Sequence, residues 1–104
     1  IDGVRVVNER PEAETSWFGV PTVCEDNNLK RSLVAYLEEN KIQTRNYFAG
    51  NILLHPGYRD LGNASDYPNA NQVLDKVFFL GCSPTIHEKM LTYIEKVIGN
   101  YVSN

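Results

Sequence analysis

The sequence predicts an α/β (α+β) domain, built as a small antiparallel or mixed sheet with helices packed on one face. Two observations carry that expectation. Three short segments rich in aromatic and β-branched residues, "SWFGVPTVC", "IQTRNYF" and "VFFLGC", alternate with segments whose apolar residues recur at helical spacing. The resulting order is strand, helix, strand, long loop, short helix, strand, helix, with no internal repeat and no low-complexity tract.

Taken in order, residues 1–15 read as an incoming linker or domain entry. Val4, Val6 and Val7 form a short apolar set, followed by the polar "NERPEAET" with Pro11. The domain proper is expected over 16–104. In "SWFGVPTVC" the residues Gly19 and Pro21 confine the strand to an edge or an irregular position. In "EDNNLKRSLVAYLEENK" Asp26 or Asn27 caps a helix on which Leu29, Leu33, Tyr36 and Leu37 line one side. The segment "ILLHPGYRDLGNASDYPN" is longer than a compact domain spends on a plain connection, and long loops of this kind carry function.

A short helix is expected over 70–76, and "VFFLGC" follows as a buried strand bounded by Gly81 and Pro84. "TIHE" then reads as a capping box, in which the Thr85 hydroxyl accepts from the amide of Glu88 and the Glu88 carboxylate reaches back. The last helix carries the apolar stripe Ile86, Met90, Ile94, Val97, Ile98 and Tyr101.

Composition narrows the function classes. A chain of 104 residues fits one domain with a modest core. Its net charge of -3, with cations scattered along the chain, argues against a nucleic-acid groove. No apolar run approaches a membrane span or a signal peptide, which predicts a soluble, cytoplasmic domain. Cys24 and Cys82 lie far apart in apolar segments and read as small hydrophobes rather than as a disulfide or metal site. The chain opens on Ile1 and its only methionine is Met90, so a piece of a longer polypeptide is expected.

Motifs for dinucleotide, nucleotide triphosphate, serine hydrolase or zinc protease chemistry are absent from the sequence. His55 and His87 have no Cys, Asp or Glu cluster at metal-ligand spacing. The conspicuous stretch is "TRNYFAGN", residues 44–51, where Arg45 offers a planar, permanently charged fork for phosphate or carboxylate. The competing reading is an exposed strand arginine in a weak surface pair. For Asn51 the competing reading is turn chemistry after Gly50, and for Arg59 a solvated loop tip.

"SWFGVPTV", "LVAYLEENKIQTRNYFAGNILLHPGY" and "PNANQVLDKVFFLGCSPTI" together resemble the C-terminal small domain of the sugar dehydratases of the DegT/StrS aminotransferase-like family. Within that family the likeness is to the CDP-4-dehydro-6-deoxyglucose 3-dehydrase branch of dideoxyhexose synthesis for lipopolysaccharide O-antigens. The resemblance runs from Ser16 to the end, and "SWFG" with "TRxxFAGN" is more specific than the general family pattern. It implies a type I PLP-dependent transferase-like fold, in which a large N-terminal domain holds the cofactor and the small domain closes over the substrate.

The resemblance further implies PMP/PLP and an iron-sulfur cluster bound outside this segment, a CDP-sugar substrate, a homodimer and a reductase partner. No catalytic residue is expected in these 104 residues, and the isolated domain is expected to be inactive. Carried over by position, Arg45 matches the arginine of the "TR" pair and is expected to contact the cofactor–sugar adduct. Asn51 matches the asparagine that ends "FAGN", in a supporting hydrogen-bond role. His55 stands where relatives commonly have Gln before Pro, and Arg59 falls in the loop where a polar residue approaches the substrate. The Ala49-Gly50-Asn51 corner is expected to allow close backbone approach to the bound molecule. The alternatives are the same domain of a PLP-dependent sugar aminotransferase, separated by the residue at the Schiff-base position outside this chain, and a stand-alone binding module.

Overall fold

The computed structural model describes residues 1–103; Asn104, the last residue of the expected domain, lies outside them. Four strands, β1 (Val4–Val6), β2 (Gly19–Cys24), β3 (Thr44–Asn46) and β4 (Val77–Gly81), form one antiparallel sheet in the order β1-β2-β4-β3. The helices are α1 (Asn27–Glu39), α2 (Pro68–Lys76) and α3 (Glu88–Ser103). Between β3 and α2 the chain makes three short 3-10 turns, Ile52–Leu54, Pro56–Leu61 and Ala64–Asp66.

Register divides the sheet into two unlike faces. Side chains alternate along a strand, so partners across the ladder share a face. Val4 opposite Cys24, Thr22 opposite Phe78 and Thr44 opposite Leu80 mark the face beneath the helices. The core lies there, where Cys24, Leu33, Leu37, Ile42, Phe78 and Val97 are buried together. Burial pushes the Cys24 thiol above its ordinary pKa, which leaves it a poor nucleophile. The opposite face holds Arg5, Pro21, Val23, Val77, Phe79 and Arg45.

Helix α1 begins at Asp26, whose carboxylate accepts from the Leu29 amide at 2.8 Å. It ends in a Schellman motif: Ile42 N donates to Leu37 O at 2.9 Å and Lys41 N to Glu38 O at 3.0 Å, with Ile42 and Leu37 both buried beside it. The left-handed position falls on Lys41, at φ 64°, where glycine is the usual occupant. From the same helix, Lys30 donates its Nζ to Leu74 O at 2.7 Å and Asn27 its amide to Asp75 O at 2.8 Å. These bonds satisfy carbonyls in the last turn of α2, which that helix cannot satisfy itself. Burial lowers the Lys30 pKa, and the neighbouring Asp75 carboxylate partly restores it.

Three expectations change. Val4–Val6 is a strand of the sheet rather than linker, because β2 supplies a partner that no local pattern announces. Strand β2 is interior rather than at an edge. Its Pro21 is tolerated because its carbonyl accepts from Val7 N at 3.0 Å, so the side lacking an N–H faces the end of β1 and the ladder to β4 loses nothing. The capping box does not form. Ser83 O accepts from Ile86 N at 3.1 Å in a turn through Pro84, Thr85 pairs with the Ser83 hydroxyl, and α3 starts only after His87.

Glu38 ties α1 to the edge strand, its Oε1 accepting from the Thr44 amide at 2.5 Å and the Thr44 hydroxyl at 2.7 Å. The bond to the Thr44 amide, and then that to its hydroxyl, holds the carboxyl below its ordinary 4.5. A depressed folded pKa gives stability that is fully present above the unfolded value and lost as pH falls through the folded one. Glu38→Gln is therefore expected to flatten part of the acid limb below about pH 4.5 in urea-midpoint measurements. Identical limbs in the two proteins would show that the bond contributes nothing.

Candidate functional site

The sheet face away from α1 and α3 is aromatic, and α2 borders it through Gln72, Val73 and Lys76. Phe79 sits at its centre with Phe48 stacked at 5.9 Å between ring centroids, Phe18 tilted at 5.9 Å and Tyr47 edge-on at 6.1 Å. Arg45 lies directly opposite Phe79 in the register. Two clefts cross this face. One of about 730 Å³ is lined by Trp17, Phe18, Arg45, Phe48 and Phe79, and one of about 760 Å³ by Arg5, Trp17, Val23, Tyr47 and Val77. Volumes of this order suit small-molecule ligands.

The corner beside it is tight. Phe48 N donates to Asn46 O at 2.7 Å, and Phe48 takes φ 55°, a left-handed conformation that a bulky residue adopts only when its surroundings impose it. The residue is 68% exposed, and its ring stacks on those of Phe18 and Phe79. The local strain, about 1–2 kcal/mol, is thus coupled to the placing of an aromatic surface.

Gly50, at φ 66°, makes a close approach, but to the protein itself. A Cβ there would lie 2.6 Å from the Cβ of Leu74 on α2. The corner also lines a cleft through Ala49, Gly50 and Asn51. Asn51 is only 3% exposed and uses its whole amide inside the chain. Its Nδ2 donates to Asn71 Oδ1 at 2.9 Å and Ala64 O at 3.2 Å, and its Oδ1 accepts from Leu53 N at 3.1 Å. It holds the long loop against α2.

Arg45 and Asn51 line different clefts, and His55 and Arg59 line neither. His55 is exposed, with Nε2 3.4 Å from Ala49 O, and Arg59 is exposed on the turn Pro56–Leu61. The residues that sequence reasoning passed over are Trp17 and Phe18; Phe79, read as part of a buried strand, is buried at 8% exposure beneath Phe18, Tyr47 and Phe48. Period-two alternation through Arg45 and Tyr47, matched to Phe79, was the available signal.

Neither thiol fits a cluster site. A four-thiolate centre needs two more cysteines than the chain has, and Cys24 is buried in the core. Among the described residues no group of three His, Cys, Asp or Glu converges to hold a metal ion. None of the helices described is long and apolar enough to cross a membrane.

The fold is shared with a solved aminotransferase, TlmJ from Streptoalloteichus hindustanus, at a TM-score of 0.83 and 14% identity, over 99% of this chain and 27% of that one. In TlmJ this fold makes up about a quarter of the chain. The chain belongs to the DegT/DnrJ/EryC1/StrS aminotransferase family, whose pattern matches residues 1–98. It is 34% identical over 97 residues to a dTDP-4-dehydro-2,6-dideoxy-D-glucose 3-dehydratase of Saccharopolyspora spinosa, covering 89% of the chain and 21% of that relative. It is also 35% identical over 97 residues to the lipopolysaccharide biosynthesis protein RfbH of Salmonella typhimurium, covering 83% of the chain and 22% of the relative. The chain spans about a fifth of the length of these curated relatives.

Proposed function

We propose that this chain acts as the C-terminal small domain of a cytoplasmic, PMP-dependent sugar-nucleotide C3 dehydrase of dideoxyhexose synthesis for lipopolysaccharide, with a CDP-sugar as substrate. The observation that carries the reading is the uncovered aromatic face around Arg45. The chain exposes 7864 Å², where a self-contained monomer of its mass exposes about 5,900 Å². Its radius of gyration is 15.5 Å, against about 13 Å for a compact domain of this length. A surplus of roughly 2,000 Å² is the scale on which one partner contributes to a large permanent interface. The cofactor domain is the natural cover for the aromatic face, and the 3-dehydratase name of one relative supports the chemistry.

The cofactor, bound by the other domain, would supply an electron sink for loss of the C3 hydroxyl. This chain's part is to bind and enclose. The Arg45 fork, beside Phe18, Phe48 and Phe79, fits an anionic or hydroxyl-bearing group held against an apolar wall. The rings would exclude water when the domain closes. Asn51 keeps the loop in place, and His55 and Arg59 are the loop's exposed polar groups from which further substrate contact would come. An iron-sulfur cluster, a homodimer and a reductase belong to the same reading and lie outside these residues.

The test is made in the assembled enzyme with a CDP-4-keto-6-deoxy sugar. Arg45→Ala is expected to lower kcat/KM by about 10–100-fold while shifting stability by less than about 0.5 kcal/mol. A lower melting temperature with turnover intact would make Arg45 structural. Transamination in place of dehydration by the wild-type enzyme would move the assignment to a sugar aminotransferase.

A further inference from the structure

A further groove lies at the β3 edge of the sheet, between β3 and α3, where Leu80 of the core face meets Arg45 and Phe79 of the other; its volume is about 590 Å³. Its floor is apolar, formed by Ile42, Leu80, Met90 and Ile94. Its rim is cationic. Lys41, Arg45 and Lys89 stand around it, all exposed, and no carboxylate lines it. Among the described residues the one ion pair is Arg10–Glu12, at 3.5 Å, so these three permanent cations are left without an internal counter-charge. That concentration is notable in a chain of net charge -3.

The apolar stripe of α3 explains how the groove arises. Val97 is buried and Ile94, Ile98 and Tyr101 pack on the core, but Met90, one turn nearer the N-terminus, is 47% exposed. The stripe therefore runs past the edge of the sheet and leaves its first turns uncovered. Tyr93 braces the wall, its hydroxyl donating to Asn40 O at 2.7 Å.

We infer that this groove docks an acidic, extended segment of a protein partner, with an apolar anchor over Met90 and Ile94 and carboxylates at Lys41 and Lys89. Two features favour a protein segment over a small ligand. The buried polar side chains, Thr22, Lys30 and Asn51, all lie elsewhere, so nothing on the floor would orient a small molecule. An apolar floor with methionine and tyrosine inside a charged rim is instead the composition of a protein interface. Recognition runs through side chains and not through strand addition to β3. Thr44 N is committed to Glu38, and Asn46 O accepts from Phe48 N. The inference does not depend on the substrate reading of Arg45.

The probe is an acetylated hexapeptide of alternating glutamate and leucine, titrated into the ¹⁵N-labelled chain, with the lysine-for-glutamate peptide and inorganic phosphate as comparators. The expected result is saturable shifts confined to amides near Lys41–Arg45 and Ile86–Ile94. Lys89→Glu and Lys41→Glu should each weaken binding several-fold, as should raised salt, which screens rim charges. Unmoved amides of Leu37 and Phe78 in both variants establish that the fold is kept. Equal binding of the basic peptide, the same shifts with phosphate alone, or no shifts at all would overturn the inference. None of these outcomes bears on turnover.

Discussion

Phe78→Ala is expected to destabilise the chain by about 3–5 kcal/mol, a large fraction of the stability available to a domain of this size. Phe78 is 1% exposed and lies on the middle strand pair, opposite Thr22 on β2 and Asn46 on β3. It packs in one cluster with Leu33 and Leu37 of α1 and Val97 of α3. Truncation removes the ring's burial and leaves a cavity that three elements from distant parts of the chain cannot all collapse to fill. With so small a core the loss has no redundancy, since single domains hold only about 5–15 kcal/mol in total. Urea unfolding followed by circular dichroism checks it, with the midpoint falling at unchanged slope. A fall below about 1.5 kcal/mol, the range of volume-conserving swaps, would mean the cluster is looser than its burial indicates.

Gly50→Ala is the second large effect, at roughly 2–5 kcal/mol. The figure combines about 1–2 kcal/mol for a left-handed alanine with about 1–3 kcal/mol for overpacking. The new methyl would sit 2.6 Å from Leu74 Cβ and 3.0 Å from Leu74 Cα, and a backbone atom cannot swing aside as a side-chain tip can. Gly50→Asn separates the two causes. Asparagine tolerates the left-handed region but still carries a Cβ. If it is as damaging as alanine in thermal unfolding, the contact with α2 dominates; if it restores stability, the contact is soft and the packing argument fails.

Much of the architecture was readable from pattern. The apolar spacing of Leu29, Leu33 and Leu37, the Asp26 cap and the run "VFFLG" are local signals, and the structure realises each of them. The signals that failed depend on partners remote in sequence. Val4 and Val6 become a strand only because Cys24 and Thr22 lie opposite them, and Gly50 is demanded by Leu74. Thr85 carries a capping-box signature, yet Pro84 diverts it into a turn. At the site, the aromatic face around Arg45 follows from strand alternation. The enclosed role of Asn51 does not, because its partners Ala64 and Asn71 come from across the loop.

The bonds from Lys30 and Asn27 to the end of α2 have a mechanical meaning. They pin the last turn of that helix to α1, while Asn51 bonds Asn71 in its first turn and Gly50 packs on Leu74, joining the helix to the corner that carries Phe48. The long loop is therefore fastened at Asn51 and at Ala64 to α2, and through α2 to α1. A motion that carries Phe48 and its neighbouring rings toward a ligand would draw α2 and both ends of the loop with it.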